Sequence, residues 1–345
     1  TVDALVDGMG GNMEFIKVTG PARKSVLAKY GIIRPTKSDM EETSTAIMEM
    51  SQAAGITQVT DKERNPLYTT TYGVGQMIVD AIHKGCRRFI MGIGGSATND
   101  GGTGMLQALG YGFLDKNGNQ IPFGARGLKV LETITEAHVL PELKECRFRI
   151  ACDVTNSLCG EQGCSAVFGP QKGATPSMVV EMDQWLGNYA ALAGKKFPKA
   201  DPKKAGTGAA GGLGFAFLTF TDAVLESGIK IVLEETRLEE YIREADLVIT
   251  GEGQMDGQTA MGKAPIGVAG LAKKYGKTVI AFTGAAGVDA EKCNEHGIDA
   301  FFPILRNVVT LEEAMKNENA KRNLADTAEQ VYRLWRAGTG SVSVF

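Results

Sequence analysis

The 345-residue chain contains no Cys-x-x-Cys pair. Its six cysteines (Cys86, Cys146, Cys152, Cys159, Cys164 and Cys293) and three separated histidines (His83, His138 and His296) do not have the spacing of a zinc site. The thiols therefore read as buried or incidental groups of a reducing cytosol. No apolar run approaches the roughly 18 residues that would cross a bilayer. The first seven residues, Thr1 to Asp7, carry acids where a signal peptide needs basic and apolar residues. These absences lead to the expectation of a soluble, cytoplasmic protein. Charge of one sign is also lacking: 37 basic against 40 acidic side chains leave a net charge of −3. With no basic block interleaved with aromatics, nothing points to nucleic acid.

Glycine, by contrast, is abundant. The 44 glycines exceed the roughly 7% of ordinary globular chains and gather in loops. The densest is Gly94 to Gly102, GGSATNDGG, between strand-like Arg88–Ile93 and helix-like Met105–Leu109. Backbone N–H groups beside a helix N-terminus suit an anion, and Asp100 can hold a cation or take a proton. Three more loops share this grammar. One is Asp153 to Asn156, followed by Phe168-Gly-Pro-Gln-Lys172-Gly173. The next is Gly206 to Gly214, and the last is Gly251 to Thr259 with Lys263 just beyond. Together they supply donors, carboxylates and lysines, the set that phosphoryl transfer uses. They point to a site for a nucleotide and a small acid. A dinucleotide oxidoreductase is disfavoured, because no G-x-G-x-x-G precedes an acid at the right distance.

Along the chain, a helix ending at Gly8 leads to strands over Met13–Val18 and Ser25–Tyr30. Residues Ser44–Ala54 read as strand or helix. Val74, Met77, Ile78, Ala81 and Ile82 define an amphipathic helix capped near Thr71. Asn117-Gly118 signals a hairpin, and Phe148–Cys152 a strand. The last third alternates: strand Leu247–Thr250, helix Ile266–Tyr275, strand Thr278–Thr283, then a helix and strand Ala300–Ile304. This pattern predicts βαβ units and a parallel sheet, with the fourth loop at a strand's carboxyl end.

The four motifs, in this order, resemble the bacterial type I glycerate kinases. The matching segments are Ile93-GGSATNDGG-Thr103, Asp153–Asn156 with Phe168-GPQKGA-Thr175, Gly206-TGAAGGLGF-Ala216, and Asp246-LVITGEGQMDGQT through Lys263-APIGVA. The resemblance implies an α/β fold of two domains. A flavodoxin-like (Rossmann-like) parallel-sheet domain would comprise residues 1–15 plus 240–345, and an inserted mixed α/β domain residues 16–239. It implies ATP-dependent phosphorylation of D-glycerate to 2-phosphoglycerate, with Mg²⁺. The alternatives are the 3-phosphate as product, or a non-catalytic binder of a small acid or nucleotide. The catalytic candidates are Asp100, Asp256, Lys172 and Lys263. Gly94, Gly95, Ser96, Thr98, Asn99, Gly251, Glu252, Gly253 and Thr259 would hold the nucleotide, and Asp153 and Asp256 the metal. A homodimer is allowed by the sequence but not indicated by it. The family's Pro-Asp-Ser-Phe-Lys and Asp-Gly-Gly-Glu-Gly motifs are not found in these 345 residues. Ser157 stands where proline is common in the family.

Overall fold

A computed structural model describes residues 2–35 and 43–338, which divide between residues 231 and 232 into two compact units. The first unit is built on a six-stranded sheet. Its strands are β1 (Asn12–Thr19), β2 (Ser25–Ile33), β3 (Ser44–Glu49), β4 (Cys86–Gly92), β7 (Arg147–Ala151) and β8 (Ala223–Glu226), in the order β1-β2-β3-β4-β7-β8. β1 and β2 form an antiparallel ribbon, and β2 runs antiparallel to β3. From β3 onward all pairing is parallel. A small antiparallel pair, β5 (Gly112–Leu114) and β6 (Thr133–Thr135), lies apart from this sheet. The Asn117-Gly118 turn is tight, as its sequence predicts, with Asp115 N donating to Asn119 O at 2.9 Å. β5 nevertheless takes its strand partner from β6, well beyond the turn.

The ambiguous segment before residue 55 resolves as both elements: β3 and then a single helical turn, Ser51–Ala54. The amphipathic helix covers Tyr72–His83. It buries Val74, Met77, Ile78, Ala81 and Ile82, the residues at its apolar positions. Phe89 stacks on Phe148 with ring centroids 4.7 Å apart, joining β4 to β7 in the core.

Of residues 1–15, expected with the C-terminal unit, the described residues 2–15 lie in the first unit. Helix Val2–Gly8 buries Val2, Leu5 and Val6. Its Val6 side chain fills the space that a Cβ on Gly31 of β2 would need. The division between the units falls at 231/232, ahead of the expected 239/240.

The second unit holds a three-stranded parallel sheet, β11-β10-β9. Its strands are β9 (Leu247–Met255), β10 (Thr278–Ala286) and β11 (Ala300–Pro303). Helix Ala264–Lys274 packs on it through Pro265, Ala269 and Ala272. The core is rich in alanine, with Ile242, Val248, Met255, Val279 and Ile298 its larger members. Helix Asn317–Gly338 ends the described chain. No described helix is long and apolar enough to cross a membrane.

Candidate active site

In the first unit, parallel pairing sets Glu49, Gly92, Ala151 and Glu226 side by side at the carboxyl ends of β3, β4, β7 and β8. The loops that follow leave the sheet at one edge, the place where open α/β sheets hold ligands. Gly94 and Gly95 are exposed there, as is Asp153. One Asp153 oxygen accepts from Gly228 N at 3.0 Å, which ties the β7 loop to the residues after β8.

Behind Gly95 the loop turns inward. Ser96, Thr98, Asn99 and Asp100 are all buried, Asp100 completely. The Asp100 carboxylate accepts from Thr71 N at 2.8 Å, Thr71 Oγ1 at 2.9 Å and Gly102 N at 3.1 Å. Thr71 Oγ1 in turn accepts from Met105 N at 2.9 Å. The sequence suggested an anion seat at this helix start; the structure fills it with the chain's own carboxylate and hydroxyl. Ala97 N donates to Ala54 O, Gly101 N to Gly211 O and Thr103 N to Asp100 O, so these backbone donors are also engaged internally. Burial raises the Asp100 carboxyl above the ordinary aspartate range, against the lowering effect of the Thr71 and Gly102 donors.

Lys172 enters the same cluster from a one-turn helix, Pro170–Lys172, with 1% of its surface exposed. Its ammonium donates to Ser96 Oγ at 2.8 Å and to Thr98 O at 2.7 Å. Burial pulls its pKa down to about 8, although the nearby Asp100 charge opposes the shift. The sign of the linkage follows. Between about pH 8 and the unfolded lysine value, roughly 10.4, the unfolded chain binds more protons, so stability rises with pH. Below pH 8 the full penalty of the buried charge is present. The unfolding free energy of the wild type minus that of Lys172→Met should therefore increase from pH 8 to 10, as read by urea denaturation. A flat difference would contradict a buried, charged Lys172.

Asn99 donates to Ser165 Oγ at 2.8 Å, and its own Oδ1 has no partner among the described residues. Thr98 Oγ1 and Tyr189 OH are likewise buried without partners among the described residues. Sequence reading missed Ser165, Tyr189 and the bonding role of Thr71. The run Thr69-Thr70-Thr71, fully buried ahead of an amphipathic helix, is the signal that could have shown the last.

The second unit holds the other candidates. Gly251, Glu252 and Gly253 lie within β9, which continues to Met255 instead of opening into a loop after Thr250. Their backbone is aligned with β10, with Gly251 opposite Phe282 and Glu252 opposite Thr283. The loop proper starts at Asp256, which caps the short helix Gly257–Ala260. Asp256 Oδ1 accepts from Gln258 N at 2.9 Å and Thr259 N at 3.2 Å, and Lys263 Nζ lies 3.6 Å away. Thr259 is buried and its hydroxyl donates to Glu252. Slight desolvation raises the Asp256 carboxyl, but the Thr259 and Gln258 N–H groups and the Lys263 ammonium outweigh it and hold it below the usual range. This is an ionised carboxylate next to a half-exposed lysine at a strand's carboxyl end.

The candidate residues expected to act together fall into two separate groups. Asp100, Lys172, Ser96, Thr98 and Asn99 form one buried cluster, and Glu252, Asp256, Thr259 and Lys263 form a second, more open one. Among the described residues, no three His, Cys, Asp or Glu side chains converge as a metal cage. Magnesium that arrives on nucleotide phosphates needs only one or two protein carboxylates. Asp153 in the first unit and Asp256 in the second each present one such carboxylate.

Fold and site define an α/β enzyme with glycine-rich loops and acid–lysine chemistry at the carboxyl edges of parallel strands. The glycerate kinase family model matches residues 1–336. The chain is 46% identical over 333 residues to glycerate 2-kinase of Escherichia coli (strain K12), covering 95% of this chain and 85% of that one. It is 44% identical over 330 residues to glycerate kinase of Halalkalibacterium halodurans, covering 94% of this chain and 85% of the relative. A crystal structure from Salmonella typhimurium LT2, provisionally named glycerate kinase 2, superposes with a TM-score of 0.87 at 43% identity, over 99% of this chain and 87% of that one. The chain belongs to the glycerate kinase family, and by that membership it is a kinase.

Proposed function

We propose that the protein transfers the γ-phosphoryl group of MgATP to the 2-hydroxyl of D-glycerate, giving 2-phosphoglycerate and ADP. The observation that carries this reading is the ionised Asp256 beside Lys263 after β9, in a chain that is 46% identical to a glycerate 2-kinase. The hydroxyl oxygen forms a bond to phosphorus as the bond to the ADP oxygen breaks, and the hydroxyl proton leaves to a carboxylate. Such transition states ask mainly for positioning and neutralisation of charge. Asp256, on the more open cluster, orients the hydroxyl and takes its proton, while Lys263 neutralises charge on the transferred group. Magnesium arriving on the nucleotide would supply further neutralisation of the phosphates. Asp100 and Lys172 are enclosed by protein and act by fixing the loop from Ser96 to Gly102.

Incubation with D-glycerate and MgATP, read by phosphorus NMR, tests the reaction. A 2-phosphoglycerate resonance supports it, a 3-phosphoglycerate resonance corrects the position of transfer, and no phosphorylated acid overturns it. Lys263→Ala should lower kcat/KM by about 10²–10³. Because the Asp256–Lys263 pair is partly solvated, it adds little to stability, and the melting temperature should hardly move. Full activity in that variant would remove Lys263 from the mechanism.

A further inference from the structure

The second unit contains a cavity of about 530 Å³ whose lining lies wholly within residues 254–296. Two chain segments form its walls. One runs from the end of β9 through the short helix to Met261; the other is the turn after β10 and the helix that follows it. Gly257 N donates to Val288 O at 3.0 Å and Gly287 N to Met255 O at 2.7 Å, so the segments are bonded to each other and the cavity is formed in advance. Asp289 holds φ +62°, and its carboxylate pairs with Lys292 at 3.0 Å, fixing the turn's far side.

The lining combines apolar side chains with directional polar groups. Met261 and Val288 are 87% and 85% exposed, two large apolar side chains presented to solvent in one cavity. Beside them stand the amides of Gln254 and Gln258, with Lys292 and His296 as basic groups. Apolar walls with a few directional amides suit a flat heteroaromatic ring, and the volume falls in the range of sites for drug-sized ligands. A three-carbon acid would leave most of it empty. Asp256 lines the same cavity, with Lys263 at its carboxylate, so a ring seated here has its phosphates within the loop that carries the acid–lysine pair.

We infer that this cavity is the base subsite for a purine nucleotide, with the ring held between Met261 and Val288 and read by the glutamine amides. The inference rests on the reading of the protein as a nucleotide-dependent kinase.

The test is calorimetric titration of the full chain with MgATP, adenosine and inorganic triphosphate, before and after the double change Met261→Ser with Val288→Ser. Both side chains face solvent, and neither substitution alters charge. ATP and adenosine should each bind at least tenfold more weakly to the double variant, with triphosphate binding unchanged. Unchanged ATP affinity overturns the inference. So does an equal loss for triphosphate, which would mean the change acts on the phosphates or on the fold. A wild-type chain that binds no ATP overturns it too. The two readings fail separately. A chain that binds ATP with this pattern but phosphorylates no glycerate keeps the subsite and loses the proposed acceptor. One that phosphorylates glycerate while the double variant binds ATP normally keeps the reaction and loses the subsite.

Discussion

Asp100→Ala is expected to lower the unfolding free energy by about 4 kcal/mol, the range seen when a buried charged partner is deleted. The carboxylate accepts from Thr71 N, Thr71 Oγ1 and Gly102 N, all within buried chain. Alanine leaves those donors without acceptors, and each orphaned donor costs about 1–3 kcal/mol. Loss of the penalty for burying the charge offsets part of the sum. The same change frees Thr71, whose hydroxyl also receives Met105 N, so the start of helix Thr103–Ala108 loosens with the loop. Urea unfolding followed by the fluorescence of Trp185, in the same unit, measures the effect. A catalytic carboxylate that touched substrate would behave differently: turnover would collapse while the unfolding midpoint stayed in place. That outcome would refute the positioning role.

The second large effect is expected at Gly211. Its φ of +67° places a would-be Cβ 2.1 Å from Thr98 O, and its own carbonyl accepts from Gly101 N at 2.9 Å. The loop after β4 and the left-handed stretch Ala210–Gly212, which precedes the regular helix running to Phe220, are therefore in backbone-to-backbone contact. Alanine pays roughly 1–2 kcal/mol for the left-handed conformation and about 1–3 kcal/mol for the displaced neighbour. Gly211→Ala should thus destabilise by about 3 kcal/mol and lower activity by shifting Thr98 and Asn99. Gly187→Ala is the matched control. Gly187 lies inside helix Pro176–Gly194 with nothing within 4 Å of a built Cβ, so there alanine should stabilise by about 0.5–1 kcal/mol. If both changes behave alike, the third motif's glycines are not required by close packing.

These two residues also show where sequence reading succeeded and where it stopped. Asp100 stands out by its type within the first Gly-rich motif, whereas Gly211 is one glycine among several in the third. The motifs gave no sign that one loop's glycines exist to admit the other loop. Nor did they show that the helix start would receive Asp100 instead of an external anion. In the fourth motif, Gly251 and Gly253 looked like loop residues by composition. Pairing with β10 carries the strand through them, because the ladder's hydrogen bonds outweigh the poor strand propensity of glycine.

The sequence by itself determined the elements whose side chains repeat with a clear period: helix Tyr72–His83, strands β1 and β2, and the alternating strands and helices of the second unit. It also determined the order of the four motifs, and with it the family resemblance. Local spacing carries that information, since a helix face or strand face is set by residues a few positions apart. The tertiary structure alone decided which polar groups are buried and what they bind. Lys172 reaches Thr98 across 74 positions, Asn99 reaches Ser165 across 66, and Asp100 meets Thr71 across 29. The lowered pKa of Lys172 and the raised pKa of Asp100 arise from desolvation by chain distant in sequence. Burial is a property of the packed whole, so the division between an internal clamp at Asp100 and Lys172 and an accessible acid–lysine pair at Asp256 and Lys263 appears only once the chain has folded.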